Sequence, residues 1–263
     1  MLQRLMLFIA LLLASPGHAA IVDCQPASGG FTVFLSEPGG DLLADKPKVR
    51  AFLQKLQFEL DQNRDGRWIA SPATDVRFVA CFNRAPALDG SEFGSALIEG
   101  LHSQRVLLEV WGALSSEGTQ ANAQMNYLLV PMQFAANQHE SAPAALQRLR
   151  YPEQGGVATP DPVQLIARPL DIDAFVAAAF GFKLLRERQH ELAHRNLCRA
   201  ASLLGAIARR PLAGRSKADV EGLLAFVRSS AGRAVSEARA DPAYPPSGML
   251  RLHDAAKPCA GGE

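Results

Sequence analysis

The sequence predicts an α/β (or α+β) protein, a mixed-sheet sandwich domain followed by a helical hairpin domain and stapled by disulfides. Three observations carry that expectation. Strand-like and helix-like stretches alternate as far as Val130, as they do in an α/β layer with a mixed sheet. Prolines and glycines crowd the segment from Ser141 to Pro169, and beyond it only helical periodicity remains. Four cysteines fall two in each half, at Cys24, Cys81, Cys198 and Cys259.

The elements follow in chain order. Arg4, the apolar run Leu5 to Ala14, the break at Ser15-Pro16 and the small residues around His18 have the layout of a secretory signal, residues 1–19, cleaved near Ala19. An apolar run of 10 residues is too short for a bilayer core of about 30 Å, and no later stretch reaches the roughly 20 apolar residues of a transmembrane helix. Cys24 stands too far from the cleavage point to be a lipoprotein cysteine. Residues 20–150 then form the sheet domain. Phe31 to Leu35 reads as a strand. Leu42 to Leu60 carries Leu42, Leu43, Val49, Phe52, Leu53, Leu56 and Leu60 on one helical face. Val76 to Phe82 is a second strand. Ser91 to Leu101 suits a helix with Ser91 as its N-cap and Gly94 inside it for close packing. Val106 to Trp111 and Tyr127 to Val130 are further strands, with Gly118 in the turn between them. Ala144 to Arg150 is expected as a short helix. Residues 151–170 form a Pro/Gly-rich linker. Residues 171–263 form the helical domain, with helices at Asp171 to Arg188, His190 to Ala208 and Ser216 to Ala240.

Charge and composition narrow the function classes. The chain holds 27 basic and 26 acidic residues, and loss of Arg4 with the leader makes it formally neutral. Nucleic acids and anionic lipids recruit clustered Lys and Arg, so neither is the expected partner. An aromatic share of 7% argues against a sugar-stacking surface. An even cysteine count in an exported chain favours disulfides. Three pairings are open by count, and the local choice is Cys24–Cys81 with Cys198–Cys259. Each bridge would close a long loop, worth about 3–4 kcal/mol in the chain-entropy account.

Two stretches resemble known families. The order strand, Phe82-Asn83, loop, a helix with Gly94, Leu97 and Leu101, then the strand Val106 to Val110 resembles the amino-terminal domain of TolB and related curli and flagellar outer-membrane proteins, over residues 77–131. Gly181, Ala193, Leu197 and Ala200 stand at the small and apolar positions of a tetratricopeptide-type helical hairpin, over residues 174–207. Both resemblances imply a protein that acts through its surface. A single hairpin must pack on something else, here the sheet domain.

Two motifs bear on metals. His190-Glu191-Leu192-Ala193-His194 places two histidines four residues apart on one helical face. Such a pair can bind zinc, with Glu191 as general base of a metallopeptidase. Charged flanks (Arg186, Glu187, Arg188, Arg195) weigh against a buried peptidase helix, and Ala200 occupies a familiar third-ligand position. Only Glu221 offers a distant substitute. The hairpin resemblance accounts for the same residues differently, with Ala193 at the helix contact, His190 at the turn and His194 at the surface. Asp61, Asn63 and Asp65 followed by Gly66 match the first half of a calcium loop. Its twelfth position is Pro72 rather than a carboxylate, and a turn rich in Asn, Asp and Gly is the plainer account. Trp111 and Trp68 are expected in the core. The sequence therefore predicts a periplasmic or secreted, non-enzymatic envelope protein that binds another envelope protein or peptide, with no cofactor. A zinc hydrolase and a calcium-stabilised binding module are the alternatives.

Overall fold

The computed structural model describes residues 24–39, 46–62, 75–82, 86–117, 120–136, 142–151, 154–155, 169–245, 247 and 259. Strand β1 (Phe31–Ser36) is buried along its whole length because it has parallel neighbours on both sides. Helix α1 (Lys46–Gln62) turns Val49, Leu53, Leu56 and Leu60 inward, on the face that the periodicity predicts; the expected start at Leu42 lies outside the described residues. Strand β2 (Val76–Cys81) runs parallel to β1, from Phe31↔Val76 to Ser36↔Cys81.

Helix α2 (Ser95–Ser103) begins four residues later than the expected Ser91. Gly94 is its N-cap rather than a packed interior residue, and a Cβ built there would touch nothing. Ser91 instead donates its backbone N–H to Asp89 Oδ1 at 3.0 Å, in an Asx turn that holds the chain out of the helix. Strands β3 (Val106–Glu117) and β4 (Gln120–Leu129) form an antiparallel hairpin, paired from Leu108↔Leu129 to Glu117↔Gln120. Both extend beyond the expected Val106–Trp111 and Tyr127–Val130, because the ladder continues through Ser, Gln and Asn residues that carry no hydrophobic signal. Val130 opens a short helix, α3 (Val130–Ala136), instead of ending a strand. Pro131 fits its first turn, where the missing N–H has no partner to lose.

The expected helix from Ala144 to Arg150 is strand β5 (Leu146–Arg150), paired with β4 from Leu128↔Leu146 to Gln124↔Arg150. So short a helix is marginal in water. The open edge of β4 offers backbone partners to five residues at once, with Gln147 and Leu149 turned inward. Strand β6 (Gln154–Gly155) adds two residues to the far end of β4. Most of the linker at 151–170 lies outside the described residues.

Three helices follow among the described elements: α4 (Pro169–Arg186), α5 (His190–Ala208) and α6 (Ser216–Ala240). The bounds of α5 and α6 are those the periodicity predicts. Helix α4 stops at Arg186 rather than Arg188, since Arg188 takes the left-handed conformation (φ 57°) that makes the turn into α5. Every residue of α4 from Asp171 to Phe182 is buried. One side faces the sheet, where Phe175 stacks on Tyr127 at 4.0 Å and Phe180 meets the edge of Phe31 at 5.6 Å. The other side meets α5 at Gly181, where an added Cβ would lie 2.7 Å from Leu197 Cγ. Helix α6 packs on α5 and is tied to β5: Ser216 Oγ accepts the Arg150 N–H at 2.8 Å, and the Ala213 N–H donates to the Arg150 carbonyl at 2.9 Å. One hydrophobic core thus runs from β1 through α4 into α6.

Strand order is β2-β1-β3-β4-β5. The chain leaves β1 for a neighbour on one side, then returns to a neighbour on the other. Right-handed crossovers therefore place α1 and α2 on opposite faces of the sheet. Both local disulfides form, Cys24–Cys81 and Cys198–Cys259, with Cα separations of 5.4 and 5.0 Å. No helix among the described residues is long and apolar enough to cross a membrane.

Candidate functional site

Open α/β sheets hold ligands where the strand order reverses, beyond the carboxyl ends of the parallel strands. Here that point lies between β1 and β3. The crevice is lined by Leu35, Ser36, Pro38, Phe52, Trp111 and Met125. Trp111 is buried to 1% and donates Nε1–H to the Ala87 carbonyl at 3.1 Å, so it is a fixed wall, as the sequence expects. The remaining room is about 20 Å³, close to the space of one water molecule. Its polar neighbours serve the fold: Ser36 donates to the fully buried Glu109 at 2.9 Å, and Glu37 lies 3.8 Å from Lys46. Deeper in the molecule, Asp171 accepts from Tyr151 at 2.7 Å and pairs with Arg210 at 2.6 Å, tying β5, α4 and the end of α5 together.

The roomier cleft lies elsewhere, where the α4–α5 turn meets the end of α6. It offers about 280 Å³ and is lined by Arg188, His190, Glu237, Ala240, Asp241 and Pro242. His190 is 3% exposed, and neither ring nitrogen has a hydrogen-bond partner. Nδ1 faces Glu237 Oε2 at 4.0 Å, and Nε2 faces Asp241 Oδ2 at 3.9 Å. Both are longer than a hydrogen bond. The second oxygen of each carboxylate is engaged: Glu237 Oε1 pairs with Arg233 at 3.4 Å, and Asp241 Oδ1 accepts the Ala243 N–H at 2.9 Å. Tyr244 stands edge-on to the imidazole at 5.8 Å.

His194 is 2% exposed, which corrects its expected surface position. The burial follows from α5 lying between α4 and α6, so the helix has little free surface to give. His194 Nε2 sits 3.5 Å from Cys198 Sγ, and burial, with a smaller effect of Arg195, holds the imidazole below its ordinary pKa. The two histidines of the zinc motif are thus turned to different surroundings, His190 to the carboxylates of α6 and His194 to the disulfide. Glu191 pairs with Arg195 one turn away, and Glu221 is exposed on α6. Of the calcium residues, Asp61 lies in the last turn of α1 and accepts the Phe78 N–H at 3.4 Å; Asn63 and Asp65 lie outside the described residues. A set that spacing does not reveal comes together instead. The ligand atoms of His194, Cys198 and Cys259 lie within 4.8 Å of one another. Helical spacing relates His194 to Cys198, and the local cysteine pairing brings Cys259 to Cys198; what neither shows is that His194 is buried against them.

Compared with known proteins, the chain matches no family model, no curated protein and no solved structure.

Proposed function

We propose that this is an exported, non-enzymatic envelope protein that works by holding another envelope protein or peptide, along α6 and into the cleft at its end. The observation that carries this reading is the cleft itself. It presents Glu237 Oε2, Asp241 Oδ2 and an unpartnered buried imidazole to one space. The two carboxylate oxygens are acceptors, so the complementary group is a cationic donor, a Lys or Arg side chain of the partner.

Two features support it. The switch-point crevice, the usual ligand position in such a sheet, is filled by side chains. The outer face of α6 leads towards the cleft with Ala218, Gly222, Ala225, Ser229, Gly232 and Ser236 exposed at alternating steps of four and three residues. Small residues at that spacing let a second helix approach closely. Export itself rests on the leader-like start and on two disulfides, which persist in oxidising compartments.

The test is photocrosslinking in the native host from a probe at Ala225, with a probe at the exposed Phe58 on α1 as control. A discrete adduct from Ala225, absent from Phe58 and lost with Glu237→Lys or Gly232→Arg, supports the reading. Adducts common to both positions, or indifferent to both substitutions, overturn it. Gly232 has open space around it, so the arginine disturbs no packing.

A further inference from the structure

We propose that His194, Cys198 and Cys259 form a redox-gated metal site. Oxidised, the two cysteines clasp the tail to α5; reduced, the three side chains bind one thiophilic cation of the zinc type.

The geometry carries this. His194 and Cys198 are four residues apart on α5 and so share a face, and the tail lays Cys259 against them. The distance from His194 Nε2 to Cys198 Sγ is 3.5 Å. Zinc with bonds of about 2.3 Å to sulfur and about 2.05 Å to nitrogen requires a nitrogen–sulfur edge of about 3.5 Å in a tetrahedron. His194 and Cys198 therefore already stand at ligand spacing. All three ligand atoms lie within 4.8 Å, and His194 and Cys198 are 2% and 8% exposed, so two of the three ligands are held away from bulk solvent. Two thiolates and one imidazole are a soft set that selects zinc or copper(I) over calcium or magnesium. Three protein ligands leave the fourth position to a water molecule.

The chemistry balances simply. A dithiol reductant transfers two electrons and two protons to the Cys198–Cys259 bond and leaves as its own disulfide, giving two thiols. The cation then displaces both thiol protons as two thiolate–metal bonds form.

The full chain is reduced with a phosphine, which takes up the oxygen of one water while the disulfide takes up two protons and two electrons. Zinc is added, excess is removed without air, and bound zinc is counted; cobalt is used in parallel as a spectroscopic probe. About one zinc per reduced chain, none per oxidised chain, and a thiolate-to-cobalt charge-transfer band are expected. His194→Gln and Cys259→Ser each weaken zinc binding by more than about tenfold, the loss that even outer-shell changes cause. The paired Cys24→Ser/Cys81→Ser chain keeps the zinc. Should reduction unfold the chain, zinc restores its helical circular dichroism. Equal zinc in the oxidised protein, none in a reduced chain that stays folded, no recovery of an unfolded one, or indifference to His194→Gln overturns the proposal.

Discussion

Gly181 is where one missing side chain decides how two helices meet. An added methyl would lie 2.7 and 2.8 Å from Leu197 Cγ and Cδ2 and 3.2 Å from its backbone nitrogen, so α4 and α5 would have to part. Alanine gains up to about 1 kcal/mol of helix propensity over glycine. Overpacking a close-fitted core costs about 1–3 kcal/mol. The clash should win: thermal denaturation of Gly181→Ala is expected to show a loss of about 1–2 kcal/mol, and Gly181→Val a larger one. A raised Tm for the alanine variant would refute that account of the crossing. The sequence offered Gly181 and Leu197 only as the small and apolar positions that the hairpin resemblance implies; their direct contact is read from the structure. The burial of His194 was not legible. It is set by α6 folding back over α5, a relation between elements far apart in sequence that no local pattern encodes. The cleft at His190 escaped for the same reason, because Glu237 and Asp241 lie 47 and 51 residues further on.

At the scale of the element, β2 is an edge strand, and edges of this kind invite pairing with other chains. Its Asp75 and Cys81 carbonyls serve β1, so the N–H groups of Phe78 and Ala80 point outward. Helix α1 meets both: Asp61 accepts from Phe78 at 3.4 Å and Gln57 from Ala80 at 2.9 Å. Two side chains of one helix thereby occupy the edge. Gln57→Ala with Asp61→Ala is expected to cost about 1–3 kcal/mol, at about 0.5–1.5 kcal/mol for each hydrogen bond. It should also speed aggregation on heating, measured by light scattering beside chemical denaturation. Unchanged aggregation at lowered stability would mean the edge is guarded by something else. The elements themselves were readable where hydrophobic periodicity is strong, as in α1, α5 and α6. They were misread where pairing decides: β5 is a strand because β4 offers an edge, and the polar reach of the β3–β4 hairpin follows from backbone bonding alone.

For the whole molecule, one core joins sheet and helices, so the two halves should unfold together. Cys24–Cys81 spans a sequence separation of 57 residues, and removing it by paired Cys24→Ser/Cys81→Ser substitution is expected to cost about 4 kcal/mol in the loop-entropy account. A single cooperative transition at lower denaturant would bear this out. Two separated transitions would mean that the helical layer holds without the sheet. Fold class and disulfide partners were both within reach of the sequence, because alternation and cysteine position are local facts. The sheet order was not, since β1 takes its second neighbour, β3, from beyond an intervening strand.

That order has a consequence for how the molecule comes into being. Among the described elements, Cys24 and Cys81 bracket β1, α1 and β2. A growing chain therefore owns a complete parallel unit and its covalent clasp before β3 has been made. The later strands are added outward from the open side of β1, and the second clasp waits for Cys259, which is made only after α6. The two bridges become available in a fixed sequence, one to start the fold and one to seal it.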